Sequence, residues 1–320
     1  METKKWLIVS TSFIVLGLIS FIVIMSIFNW DFKSFNTTKI ETNIYELEED
    51  FDNISINFDE VDINLLVTEE TKVKVVCVEE SKAKHNVTIT ENTLNIAVEN
   101  SKKWYDYIGV FSPKTKIDIY LPKVVYEKLE VKGHTGDISI PKDFTFKSID
   151  IKTSTGDIEN YASANEFIKL KATTGKINLE NINSNSLDIS VSTGDVNLKN
   201  INCKDDITID LSTGKTVLTN VTCNNLTSTG NTGDISLNNV ILSGKLYIER
   251  STGDTELNKC DANEIEIITT TGDVNCTLLS SKIFIVDTNT GDKNVPETTT
   301  GGLCKIKTDT GDINIQIVNN

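Results

Sequence analysis

The sequence predicts an all-β protein: a right-handed parallel β-solenoid with about 19–20 residues and three short strands per coil, preceded by one N-terminal transmembrane helix. Three observations predict it. The dipeptide Thr-Gly recurs through the second half of the chain at intervals of 19 or 20 residues. Between recurrences, apolar residues alternate with polar ones, and their parity flips at fixed points. Near the N-terminus, Trp6 to Phe28 carries no charge.

The apolar stretch comes first along the chain. At ~1.5 Å per residue it reaches roughly 35 Å, enough to cross a ~30 Å hydrocarbon core with some tilt. Lys4 and Lys5 precede it and Asp31 follows it. The positive-inside rule then predicts a cytoplasmic tail (1–5), a span (6–28), a juxtamembrane linker (29–36) and an extracytoplasmic remainder. A cleaved signal peptide is the alternative. Its apolar region is normally ~7–15 residues and ends at a small-x-small site. No such site is evident, and no cysteine lies near for lipid attachment, so the expectation is an uncleaved signal anchor in the cell membrane.

The repeat follows. Its glycines are Gly136, Gly156, Gly175, Gly194, Gly214, Gly233, Gly253, Gly272, Gly291 and Gly311, each preceded by threonine. Aspartate follows eight of them, the exceptions being Lys176 and Lys215. Ten in-phase copies define a repeat architecture. Counting from each glycine, apolar residues tend to fall at −7, −5 and −3 (Leu187, Ile189, Val191), at +2 and +4 (Val196, Leu198), and at +7 and +9 (Ile201, Cys203). Each block has the period of two of a strand with one buried face. Each parity flip is a corner at which the chain turns and keeps that face inward.

Three strands around one core make one coil. The unit is too short for two packed helices, and its Ile, Val and Thr favour strands. Coils stacked in parallel at ~4.8 Å would extend the ten repeats over roughly 48 Å. Parallel crossovers are nearly always right-handed. Glycine suits a corner of positive φ, and the following Asp can accept turn N–H groups.

Residues 134–320 form this regular solenoid. Residues 37–133 lack the motif but keep the alternation, as in Ile54–Phe58, Val61–Leu65, Val73–Val78, Leu94–Val98 and Ile117–Leu121. They are expected to be irregular first coils with an N-terminal cap; a separate β-sandwich is the alternative.

With an N-terminal anchor, the strand Lys116-Ile-Asp-Ile-Tyr-Leu-Pro122, the strand Leu129-Glu-Val131 and serial Thr-Gly-Asp-Ile-x-Ile units, the chain resembles the bacterial putative-adhesin family. The likeness covers about residues 40–320. It implies an extracytoplasmic β-solenoid of binding or scaffold type. Related domains in the cell-envelope-stress systems of Gram-positive bacteria imply an alternative role, as regulatory partner of a membrane protein. The resemblance carries no catalytic residue and no cofactor.

Composition narrows the function. The 46 acidic and 31 basic residues give a net charge of −15 and a pI near 4.7, which argues against nucleic acid or anionic headgroups as partners. One arginine, Arg250, and two histidines leave little for anion clamps or histidine-centred sites. A carbohydrate-active β-helix enzyme would need paired carboxylates in a cleft. The acids here recur at every coil and mark no single site. Arg250 stands at a −3 position usually small or apolar, and is expected to turn outward.

Other candidates are weaker. Asp234, Asp254, Asp273, Asp292 and Asp312 should form an unbroken carboxylate column, a candidate ladder for calcium or another hard cation. Solvated turn aspartates are the plainer reading. The six cysteines (77, 203, 223, 260, 276 and 304) occupy small apolar slots and are expected as buried thiols, a Cys203–Cys223 bridge being the alternative. Trp104, Tyr105, Tyr107 and Phe111 lie in the least repeat-like stretch, as a cover for the core or a partner contact. A threonine ice-binding array is disfavoured, because the −3 slot holds Ala172, Val191 and Leu211. The chain ends soon after its last motif, so the open C-terminal coil is expected to pair with a partner or with itself.

Overall fold

The computed structural model describes residues 2–30, 39–103 and 114–318. Its first element is the helix Glu2–Ile27. Within it, Lys4–Ile27 is long and apolar enough to cross a membrane, with a mean hydropathy of 2.7, and all its large apolar side chains but Met25 are exposed. Among the described residues, every regular element after it is β-strand.

The strands stack as one parallel solenoid. Thr155, Thr174, Thr193, Thr213, Thr232, Thr252 and Thr271 pair in succession, so the residue before each corner glycine keeps one register through the stack. In a representative coil, Ile207, Ile209, Leu211, Thr216, Leu218, Val221 and Cys223 all face inward and are buried. Each fully buried aliphatic side chain contributes about 1.5–3 kcal/mol, so even a coil this short is held by its core.

The three predicted inward runs lie on two hydrogen-bonded strands per coil. The strand after the glycine, such as Thr216–Cys223, continues through the second corner without breaking. It bends there because the +6 residue is left-handed: Asn181, Asn200, Asn220, Asn239 and Lys259 have φ between 52 and 59°. One such residue reverses side-chain parity while the backbone ladder continues, which is the action of a bulge.

Coil order departs from chain order at both ends. The last strands, Gly302–Thr310 and Ile313–Ile317, are not at the end of the stack. Gly302–Thr310 pairs with Glu264–Thr271 on one side and with Lys282–Thr290 on the other. Ile313–Ile317 likewise lies between Val274–Leu278 and Lys293–Asn294. The chain passes from Leu278 to the outermost coil and then returns to fill the gap. The expectation of an open C-terminal coil is therefore corrected: the exposed end is the coil before it.

The reason is apolar content. The inserted coil buries Cys304, Ile306, Ile313 and Ile315. The outer coil carries Lys293 at +2, and Thr298 and Thr300 at +7 and +9. Only the end position leaves that lysine in water.

The N-terminal end does the same. Asn53–Asn57 pairs in parallel with Thr93–Asn100 and with Val125–Lys132. Asp62–Thr68 lies between Lys116–Pro122 and Ile138–Ile140. The segment 53–68 is thus an interior coil. Beyond it, Val73–Glu80 runs antiparallel to Lys116–Pro122 and to Ile40–Leu47. Ala83–Thr90 runs antiparallel to Thr93–Asn100. These strands cover an end that would otherwise expose backbone donors and acceptors. Phe51, Tyr126, Phe144 and Phe146 pack ring against ring at one corner, with centroids 5.8–6.3 Å apart along the chain of contacts.

Candidate functional site

The glycines meet backbone to backbone. A Cβ on Gly214 would lie 1.6 Å from the carbonyl oxygen of Gly194, and φ at Gly214 is 140°. No L-residue fits there, so the column is set by close approach as well as by dihedral.

The aspartates beside them form a hydrogen-bond ladder. The Asp157 N–H donates to the Asp137 carboxylate at 2.8 Å, Asp254 to Asp234 at 3.2 Å, and Asp273 to Asp254 at 2.9 Å. Lys176 and Lys215 donate their N–H groups to Asp157 and Asp195 at 2.7 and 3.0 Å, but a lysine offers no acceptor to the next coil. Lys215 instead reaches Asp234 with its ammonium, at 3.2 Å. The column begins earlier than the motif does: Asp62 accepts the Asp137 N–H at 3.0 Å, with Val61 standing where later coils have glycine.

Its C-terminal run reads Asp234, Asp254, Asp273, Asp312, Asp292, following the inserted coil. A charge-assisted bond contributes roughly 1.5–3 kcal/mol, whereas exposed carboxylates ~5 Å apart repel by only about 1 kcal/mol in water. The ladder therefore holds together on its own bonds. Among the described residues, no group of three or more His, Cys, Asp or Glu side chains is disposed to hold a metal ion.

A second ladder was missed in the sequence. The amides of Asn200, Asn220 and Asn239 each donate to the asparagine one coil earlier at 2.9 Å. The signal was present as asparagine at +6 in four successive repeats. Asparagine tolerates the left-handed conformation and its amide both donates and accepts, so it can serve as corner and rung together.

Arg250 corrects its expectation. It points inward and is 3% exposed. One guanidinium nitrogen donates to the carbonyls of Ser228 (3.0 Å) and Glu249 (2.9 Å). The other donates to the hydroxyls of Ser228 (2.8 Å) and Thr216 (3.4 Å). Burial pulls its pKa down to about 10, opposed by the nearby Asp210 carboxylate. Room for it comes from Gly230 in the same slot of the neighbouring coil, where a Cβ would stand 3.2 Å from the Arg250 Nη1. A large residue beside a small one at the same repeat position was the available clue.

All six cysteines are free and buried. Burial raises the thiols of Cys77, Cys223 and Cys304 to about 12, those of Cys203 and Cys260 to about 11, and that of Cys276 well above its ordinary value. They pack as small apolar groups.

The N-terminal cap holds a buried glutamate–histidine pair that periodicity does not reveal. The Glu79 carboxylate accepts from His85 Nδ1 at 2.7 Å, from the His85 N–H at 2.6 Å and from Asn43 Nδ2 at 2.7 Å. Burial pushes the Glu79 carboxyl up, but these bonds outweigh it and the net shift is downward. His85 Nε2 has no protein partner. The adjoining cavity, about 10 Å³ in volume, has room for one water at most. The aromatic candidates Trp104, Tyr105, Tyr107 and Phe111 lie outside the described residues.

A column of backbone-packed glycines, two polar ladders and an apolar core define a parallel β-solenoid whose repeated residues serve the stack. The chain belongs to the Toastrack DUF4097 family, which matches residues 51–209 and 202–320. Among solved structures, it resembles a putative adhesin from Bacteroides fragilis at 17% identity, covering 85% of this chain and 98% of that one, with a TM-score of 0.38. A putative adhesin from Parabacteroides merdae is 17% identical over 74% of this chain and 93% of the other, with a TM-score of 0.42. A putative lipid binding protein from Parabacteroides distasonis is 13% identical over 86% and 97%, with a TM-score of 0.39. No curated protein matches the chain.

Proposed function

We propose that this protein is a single-pass membrane protein that displays a rigid acidic β-solenoid outside the cell, where it binds or scaffolds without chemistry of its own. The observation that carries this reading is the pairing of one span-length apolar helix, Lys4–Ile27, with a long solenoid whose repeated polar groups are committed to structural ladders. In the positive-inside orientation, Lys4 and Lys5 stay in the cytoplasm.

Protease treatment of intact cells tests the topology. The solenoid should be attacked only from outside, and the chain should sediment with membranes at full length. Recovery of a shortened, soluble chain from the medium would show that the helix is a cleaved signal.

A further inference from the structure

We propose that the exposed end strand, Lys282–Thr290, is a homotypic docking edge that pairs antiparallel with the same strand of a second copy of this chain. This goes beyond the reading above, since it names a partner and holds whether or not the solenoid has another ligand.

The inserted C-terminal coil is what creates the edge. Among the described residues, Lys282–Thr290 has a strand partner on one side only, Gly302–Thr310. Its other side presents backbone donors and acceptors, whose natural complement is another strand. The opposite end of the solenoid is covered by antiparallel strands, and this end has no equivalent among the described residues. At its start the Thr298 hydroxyl donates to the Lys282 carbonyl, and from Ile283 onward no other strand pairs with its outer side among the described residues.

Side chains point the same way. Ile283 and Ile285 face outward and are 46% and 55% exposed, with Leu303 beside them at 38%. Inward, Phe284, Val286 and Val295 pack on the core but stay only half-buried, because no coil lies above them. Natural edge strands usually carry outward charge or proline against pairing. Here the first two outward positions are isoleucine.

Charge selects a second copy over a basic partner. The chain as a whole is at −15, so two copies repel along most of their surface. Between Lys282 and Thr290 the only acid is Asp287, and it lies 3.7 Å from Lys293. Acids are sparse along this edge strand, so two acidic solenoids meet little repulsion there. Antiparallel pairing centred on Ile285 sets Phe284 of each copy across from Val286 of the other. It also separates the two Asp287 side chains. The N-terminal caps then lie at opposite ends of the pair, as contact between two facing surfaces would require.

The test is sedimentation equilibrium of the full-length chain in detergent micelles over micromolar concentrations, with wild type beside the double variant Ile283→Glu, Ile285→Glu, which sets like charges opposite Asp287 and opposite each other across the proposed pair. Both positions are exposed, so the variant should retain its β circular dichroism. Wild type should dimerise, and the variant should dissociate with a dissociation constant raised roughly tenfold or more. Ile285→Cys should form a disulfide-linked dimer under mild oxidation, because every native thiol is buried. A wild type monomeric throughout, or a double variant that dimerises as tightly as wild type, would overturn the proposal. The second outcome would move the contact elsewhere, for example to the apolar helix.

Discussion

The backbone N–H of Asp312 donates to the carboxylate of Asp273 at 2.8 Å, 39 residues earlier, passing over Asp292, which comes between them in the chain. Asp292 instead donates to Asp312 from the outer side, also at 2.8 Å. The last coil is therefore interior, and its removal should cost far more than fraying of a terminus. Ile306→Ala, at a fully buried position, should destabilise by about 2–5 kcal/mol; Ile285→Ala, at an exposed one, by about 0.5 kcal/mol or less. Hydrogen exchange checks the order directly: amides of 304–317 should be better protected than those of 283–290. The reverse ranking would mean that coils stack in chain order.

Corner residues should be intolerant for different reasons. Gly214→Ala places a methyl group on the Gly194 carbonyl and should cost well over 1 kcal/mol in chemical denaturation. Asn200→Ala loses two ladder bonds and a residue suited to φ 54°, for about 1–3 kcal/mol. Asn200→Gly keeps the dihedral and loses only the bonds, so it should fall between wild type and alanine. Equal costs for the two variants would show that the dihedral contributes nothing.

The aspartate ladder separates hydrogen bonding from cation binding. Asp254→Ala removes the acceptor of the Asp273 N–H and should cost about 1.5–3 kcal/mol, whereas Asp254→Asn retains an acceptor and should cost less. The thermal midpoint should be the same in excess EDTA and in millimolar calcium. A midpoint that rises with calcium would show that cations bridge the outer oxygens of Asp234, Asp254, Asp273, Asp312 and Asp292.

Acid should weaken the N-terminal cap through Glu79. Its folded pKa lies below the ordinary 4.5, so the unfolded chain takes up the proton first. The stabilisation is then fully present above pH 4.5 and is lost as pH falls through the lowered value. Glu79→Gln should be less stable than wild type at neutral pH, and the gap should narrow below that point. A gap that does not change with pH would remove the carboxylate as its source. Glu79→Leu, which takes the acceptor from the His85 N–H and the Asn43 amide, should cost about 1–3 kcal/mol per orphaned donor.

The thiols should be silent while the chain is folded. Burial holds five of them at about 11–12, so almost none is thiolate at pH 8, and none is exposed. A thiol reagent should label six cysteines per chain only after denaturation. Fewer than six in denaturant without reductant would reveal a disulfide.

The repeating part follows from the order of residues alone. Alternation, parity flips and in-phase Thr-Gly specify strand, corner and register, because these depend on residues one coil apart and on a side-chain period of two. That is why Leu187, Ile189 and Val191 were legible as core, and Gly194 as a corner. Relations between coils that local periodicity cannot encode come only from the packing. Whether the Gly311 coil lies outside or inside the Gly291 coil depends on comparing their buried faces, and Lys293 settles it by needing water. Arg250 turns inward because Gly230 in the coil below leaves it room and Ser228 and Thr216 satisfy it, a relation between coils that no single repeat displays. Glu79 and His85 meet in an antiparallel cap with no repeat, where chain distance and spatial distance are unrelated.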